Sequence, residues 1–109
     1  MAFKTIFTRE AITFLASLPD NVKEKIIYNI RKVAGGIIDS ELFKKLENTE
    51  IWEFRTHFNG IAYRVLAFWD TDNETLVIAT HGFIKKKQKT PKKEIAKAER
   101  IRKHYFQNK

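Results

Sequence analysis

Two arginines, a histidine, a glutamate and a cluster of lysines carry the chemistry legible in this 109-residue chain. Glu53 and Arg55 stand two apart in IWEFRTH, Arg64 lies within IAYRVLAFW, and His81, Phe83 and Lys85 alternate in HGFIK. A spacing of two puts side chains on one face of a strand. Three adjacent strands would therefore gather these groups on one side of a sheet. A guanidinium is permanently charged and can bond an oxyanion through two N–H groups at once. An imidazole can act as general acid or base near neutral pH. Glu53 is a second base candidate, with Arg55 beside it competing for its charge. Lys85, Lys86, Lys87, Lys89, Lys92 and Lys93 add point charges, and Phe83 offers a ring on which a base can stack. Each group has a plainer reading: a charge group on the wet face of a sheet, a strand-end histidine held by backbone, a solvated basic tail. Their convergence points to work on a polyanion.

The elements that must position these groups follow from hydrophobic period and turn chemistry. Phe3 to Phe7 alternates and reads as a first strand. Thr8 can cap a helix over Arg9 to Ser17, with Ala11, Ile12, Phe14, Leu15 and Leu18 on one face. Pro19 interrupts it. A second helix is expected over Asp20 to Ala34, ended by Gly35-Gly36. Residues 37–50 give no clear period; Leu42, Phe43 and Leu46 suggest a helical turn and Asn48-Thr49 a turn. Ile51 to His57, the Asn59-Gly60 hairpin turn, Ile61 to Trp69, the turn Asp70 to Glu74, and a strand from Thr75 make a three-stranded meander. Alternation places Trp52, Phe54, Tyr63, Val65, Ala67, Leu76 and Ile78 against the helices. It places Leu66, Phe68, Val77 and Ala79 with the charged set. Thr90 reads as an N-cap and Pro91 as the first position of a last helix running to Phe106. Ile95, Ala98, Ile101 and Tyr105 form its apolar stripe.

Composition sets the bounds. The length is that of one domain, residues 1–109. Net charge is +8, and residues 85–109 hold eleven Lys/Arg against two Glu, so the whole basic excess sits in the last quarter. That asymmetry favours a nucleic-acid or other anionic partner. The absence of cysteine excludes disulfides and thiolate metal sites. His57 and His81 lack the matched carboxylates of a metal site, so neither metal nor cofactor is expected. With no apolar run of membrane length and no signal-peptide pattern at the start, a cytoplasmic protein away from membranes is expected.

The order strand, helical hairpin, meander, C-terminal helix resembles the RelE/ParE superfamily of toxins from type II toxin–antitoxin pairs. The resemblance is strongest to its HigB-like, phage Gp49-like branch. It is carried by IWEFRTHFNGIAYRVLAF (Ile51 to Phe68) and HGFIKKKQKTPKKEIAKA (His81 to Ala98). The implied fold is α+β, β-α-α-β-β-β-α: a mainly antiparallel sheet with a helical hairpin on one face and a C-terminal helix. The implied activity is ribosome-dependent cleavage of mRNA. The implied partners are mRNA, ribosomal RNA and a cognate antitoxin of the helix-turn-helix type, in a complex that can be of higher order. Arg64 matches the family's arginine near the scissile phosphate, Arg55 the arginine of a Glu-x-Arg pattern, and His81 the variable position at the end of the last strand. Tyr105 and His104 fall in the final helix and are not assigned to the site.

The reaction so implied is attack of a 2′-OH on its own 3′ phosphate, leaving a 2′,3′-cyclic phosphate and a 5′-OH. Arg64 and Arg55 would clamp the phosphate, His81 would transfer a proton, Glu53 would be an alternative base, and the lysines would hold the backbone. Two other classes share the outline: a ParE-like gyrase inhibitor, and a non-catalytic nucleic-acid-binding module.

Overall fold

The structure, a computed structural model, describes residues 2–73 and 76–109. Glu74 and Thr75, the expected end of one turn and start of one strand, lie outside the described residues. The elements are β1 (Lys4–Phe7), α1 (Arg9–Ala16), α2 (Asp20–Ala34), β2 (Phe43–Lys45), β3 (Trp52–Phe58), β4 (Ile61–Trp69), β5 (Leu76–Lys85) and α3 (Lys92–Gln107). The five strands form one sheet in the order β1-β5-β4-β3-β2. Among the described residues the β1–β5 pair is parallel and the other pairs are antiparallel. Among the described residues no helix is long and apolar enough to cross a membrane.

Local chemistry accounts for most boundaries. The Thr8 hydroxyl accepts the Ala11 N–H at 3.2 Å and so caps α1. Gly36, at φ 112°, takes the left-handed conformation just past α2. Asn59 (φ 50°) and Gly60 (φ 77°) are both left-handed, as the tight β3–β4 turn requires. The segment expected to hold a helical turn instead contains β2, a three-residue edge strand. Phe43 explains it: its ring stacks on Trp52 at 4.8 Å and on Phe54 at 4.3 Å between centroids. Tertiary packing of one aromatic outweighs a weak local helical signal.

The sheet is covered on both faces. α1 and α2 enclose one core with Val65, Ala67, Val77 and Ala79. Ile12 departs from the expected inward face of α1 and is 57% exposed. α3 encloses a second core with Ile51, Leu66, Phe68 and Ile78 through Ala98, Ile95 and Ile101. Here β5 corrects the expected alternation. Val77 and Ala79 face the helical hairpin, and Leu76 and Ile78 face α3. The cause is a bulge: Leu66 pairs with His81 while its neighbour Ala67 pairs with Ala79, so Thr80 is an extra residue. Its hydroxyl donates to the Leu66 carbonyl at 3.2 Å. Beyond Thr80 the phase is restored, and His81, Phe83 and Lys85 lie on the α3 side as expected.

On that side, register aligns the strands into rows. Glu53, Leu66 and His81 form one row, Arg55, Arg64 and Phe83 the next, and His57, Ala62 and Lys85 the last. α3 covers the apolar end of this face. The row of His57, Ala62 and Lys85 lies at the opposite end, where His57 is exposed.

Candidate nucleic-acid interface

Glu53 is the hub of the charged rows. It is 2% exposed. Arg64 Nε lies 3.3 Å from its Oε1 and Arg55 Nε 3.5 Å from the same oxygen. Its other oxygen accepts the Thr90 hydroxyl. Thr90 thus does not cap α3, whose N-cap is Pro91 without a side-chain hydrogen bond. Its hydroxyl instead pins the lysine segment to the sheet. The buried carboxylate thus accepts one hydroxyl and faces two guanidinium Nε groups as ion pairs outside hydrogen-bond geometry.

The two arginines differ in exposure. Arg64 is 2% exposed, and its Nη1 donates to the Tyr63 carbonyl at 3.1 Å. Burial pulls its pKa below the usual guanidinium value, and the Glu53 carboxylate opposes that shift. Arg55 is partly open, with a long contact of 3.4 Å to the Ser40 carbonyl. Arg55 therefore presents its charge outward, while Arg64 supplies positive potential from beneath.

Around them lie two clefts that share Lys85 and Gln88. The larger, of about 600 Å³, is lined by Lys44, Lys45, Glu53, Arg55, Lys89 and Thr90 among others. The smaller, of about 310 Å³, is lined by His57, Ala62, Arg64, Lys85, Lys86, Lys87 and Gln88. Burial, then the nearby Arg64 charge, lowers the Lys85 pKa. Lys44 and Lys45, on the edge strand the sequence did not reveal, add charge that the sequence reading did not include.

His81 lies elsewhere. It is 3% exposed and lines neither cleft. Nε2 lies 3.1 Å from Glu94 Oε1 and Nδ1 lies 3.1 Å from the Thr80 hydroxyl. Burial lowers its pKa, with the Glu94 hydrogen bond acting the other way. Phe83 sits 6.2 Å from the His81 ring and packs on the α3 core. Lys92 and Lys93 are in the first turn of α3 and also line neither cleft. The structure thus gathers Glu53, Arg55, Arg64, Lys85, Lys86, Lys87 and Lys89 around the clefts, and sets His81, Phe83, Lys92 and Lys93 outside their lining. The sequence reading left out His57, although its alternation with Glu53 and Arg55 placed it on this face. Among the described residues, no group of three or more His, Cys, Asp or Glu side chains could hold a metal ion.

The comparisons agree with this architecture. The family described as "Phage derived protein Gp49-like (DUF891)" matches residues 13–103. No curated protein sequence matches. A chain of the crystal structure of the toxin–antitoxin complex RelBE2 from Mycobacterium tuberculosis is similar in fold, with a TM-score of 0.54 at 20% identity. That match covers 78% of this chain and 100% of the other. A bulged mixed sheet with a helical hairpin on one face, a terminal helix on the other and a family match across most of its length make this chain a member of the phage-derived Gp49-like family, with a fold similar to that of a chain of the RelBE2 complex.

Proposed function

We propose that this protein is the toxin of a toxin–antitoxin pair and acts as an endoribonuclease on mRNA held in the ribosome. The observation that carries the reading is the row structure of the sheet: Arg55, Arg64 and Lys85 come from three adjacent strands and line two adjoining clefts. Preorganised positive charge of this kind stabilises the extra negative charge of a five-coordinate phosphorus transition state. The nucleophile is the substrate's own 2′-OH, so the protein need only position, polarise and move protons. Lys44, Lys45, Lys86, Lys87 and Lys89 flank the clefts and suit a phosphate backbone. Its partners in this reading are mRNA, ribosomal RNA and an antitoxin, of the helix-turn-helix kind, that silences it.

Primer extension on an mRNA programmed on bacterial ribosomes, beside the same RNA alone, tests the proposal. Cuts confined to the ribosome-bound message are expected. Efficient cutting of naked RNA would contradict dependence on the ribosome. No cuts in either sample would overturn the nuclease reading, and topoisomerase-trapped DNA breaks would then favour gyrase inhibition.

Two observations favour a second reading, that of a non-catalytic RNA-binding module. Glu53 already neutralises part of the arginine charge, and the histidine expected to transfer protons is buried. Salt-steep binding of RNA without product would establish it.

A further inference from the structure

His57 is the imidazole that the arginine and lysine rows leave open. It is exposed, and it lines the smaller cleft together with Arg64 and Lys85. Register places it directly opposite Ala62, and Ala62 directly opposite Lys85. Side chains of one row point to the same face. His57 and Lys85 therefore form two walls of a groove whose floor is a methyl group. Two inter-strand spacings separate their backbones, about 10 Å, which is room for a ribose phosphate between them.

The other candidate bases are committed. Glu53 holds Arg55, Arg64 and Thr90, and His81 is enclosed between Glu94 and Thr80. The remaining lining of the smaller cleft consists of Ala62, Arg64, three lysines and Gln88. None of these accepts a proton as readily as an imidazole.

We infer that His57, not His81, takes the proton from the attacking 2′-OH, and that Lys85 on the facing wall protonates the departing 5′ oxygen. This rests on the ribonuclease reading and gives it its proton path. In the step, a bond forms between the 2′ oxygen and phosphorus as the 2′ proton passes to the free imidazole nitrogen. The P–O5′ bond breaks with its electron pair going to the 5′ oxygen, which takes a proton from the Lys85 ammonium. The products are a 2′,3′-cyclic phosphate and a 5′-OH, and solvent water returns His57 and Lys85 to their starting states. In-line displacement needs base and acid on opposite sides of the phosphorus, and the row supplies that opposition. The burial that lowers the Lys85 pKa also makes its ammonium a better acid.

The test is single-turnover cleavage of ribosome-bound mRNA by wild type, His57→Gln and Lys85→Ala, with the folded fraction of each checked by circular dichroism. The same mRNA is then used with a bridging 5′ sulfur at the cut, which leaves without protonation. His57→Gln should lose about 10²–10⁴-fold in rate while staying folded. The sulfur substrate should restore Lys85→Ala and not His57→Gln. Near wild-type cutting by His57→Gln overturns the assignment and leaves the ribonuclease reading standing. Restoration of His57→Gln by sulfur overturns its role as base. Absence of cutting by the wild type overturns both readings together.

Discussion

His81 Nε2 lies 3.1 Å from Glu94 Oε1, joining β5 to the first turn of α3. Glu94 also stands where a carboxylate complements the helix N-terminus. The pair therefore fastens the terminal helix to the sheet. Its carboxylate can only accept, so the hydrogen on Nε2 points toward Glu94.

His81→Ala should lower stability by about 1–3 kcal/mol, the cost of stranding buried hydrogen-bonding groups. Cleavage per folded molecule should change little. Burial lowers the folded pKa below the reference of 6.5. The unfolded chain then binds the proton more readily, so the associated stability is present above that reference and is lost as pH falls through it toward the folded value. Melting curves between pH 5 and pH 8 should show a slope that His81→Gln removes. An unchanged slope would mean that His81 does not titrate on unfolding.

Glu53 and Arg64 make a test by alanine replacement misleading. Removing one partner of a buried ion pair strands the other, at about 3–5 kcal/mol. Glu53→Ala and Arg64→Ala should both melt far below wild type, by chemical denaturation as well as by heat. Arg64→Lys and Glu53→Gln keep volume and part of the bonding and should melt closer to wild type. A Glu53→Ala protein as stable as wild type would show that the arginines do not depend on the carboxylate.

Thr90 should govern how firmly the lysine segment is held over the larger cleft. Thr90→Val keeps the shape and deletes the donor to Glu53. Trypsin should then cut faster after Lys86, Lys87 and Lys89, and Thr90→Ser should restore the wild-type rate. Equal digestion of all three proteins would remove Thr90 from this role.

Asp70 fastens the other end of α3. It accepts the Tyr105 hydroxyl at 2.6 Å and both oxygens lie 2.9 Å from Lys109 Nζ. The Tyr105 hydrogen bond, then the Lys109 one, lowers its pKa to about 2 from 3.8. A depressed carboxylate stabilises the fold above the unfolded pKa, and that contribution disappears as pH falls through the folded one. Acid unfolding followed by tyrosine fluorescence should lose stability between about pH 4 and pH 2. Asp70→Asn should be less stable at neutral pH and show a flatter acid limb. An identical acid limb would place the acid sensitivity elsewhere.

The elements most visible in the sequence were those whose own residues decide them. The second helix, Asp20 to Ala34, runs over the expected residues because its apolar spacing and Gly35-Gly36 specify it locally. The Asn59-Gly60 turn likewise states its own geometry. What stayed hidden depends on distant parts of the chain. β2 exists because Phe43 finds Trp52 and Phe54. The bulge at Thr80 leaves no mark in residue type, since threonine is at home in any strand. His81 and His57 look equivalent in the sequence, and only the placement of Glu94 and the α3 core separates them. The charged face itself was legible, because alternation survives on both sides of the bulge.

The parallel pairing of β1 with β5 joins Lys4–Phe7 to residues 76–79. During synthesis the backbone of β1 must wait unpaired until the chain has grown past the last strand. The strand that supplies Lys85 is the same strand that receives β1. A nascent chain therefore gains its charged groove and its closed sheet together. In a protein proposed to attack messages on ribosomes, the groove therefore cannot form before β5 has emerged.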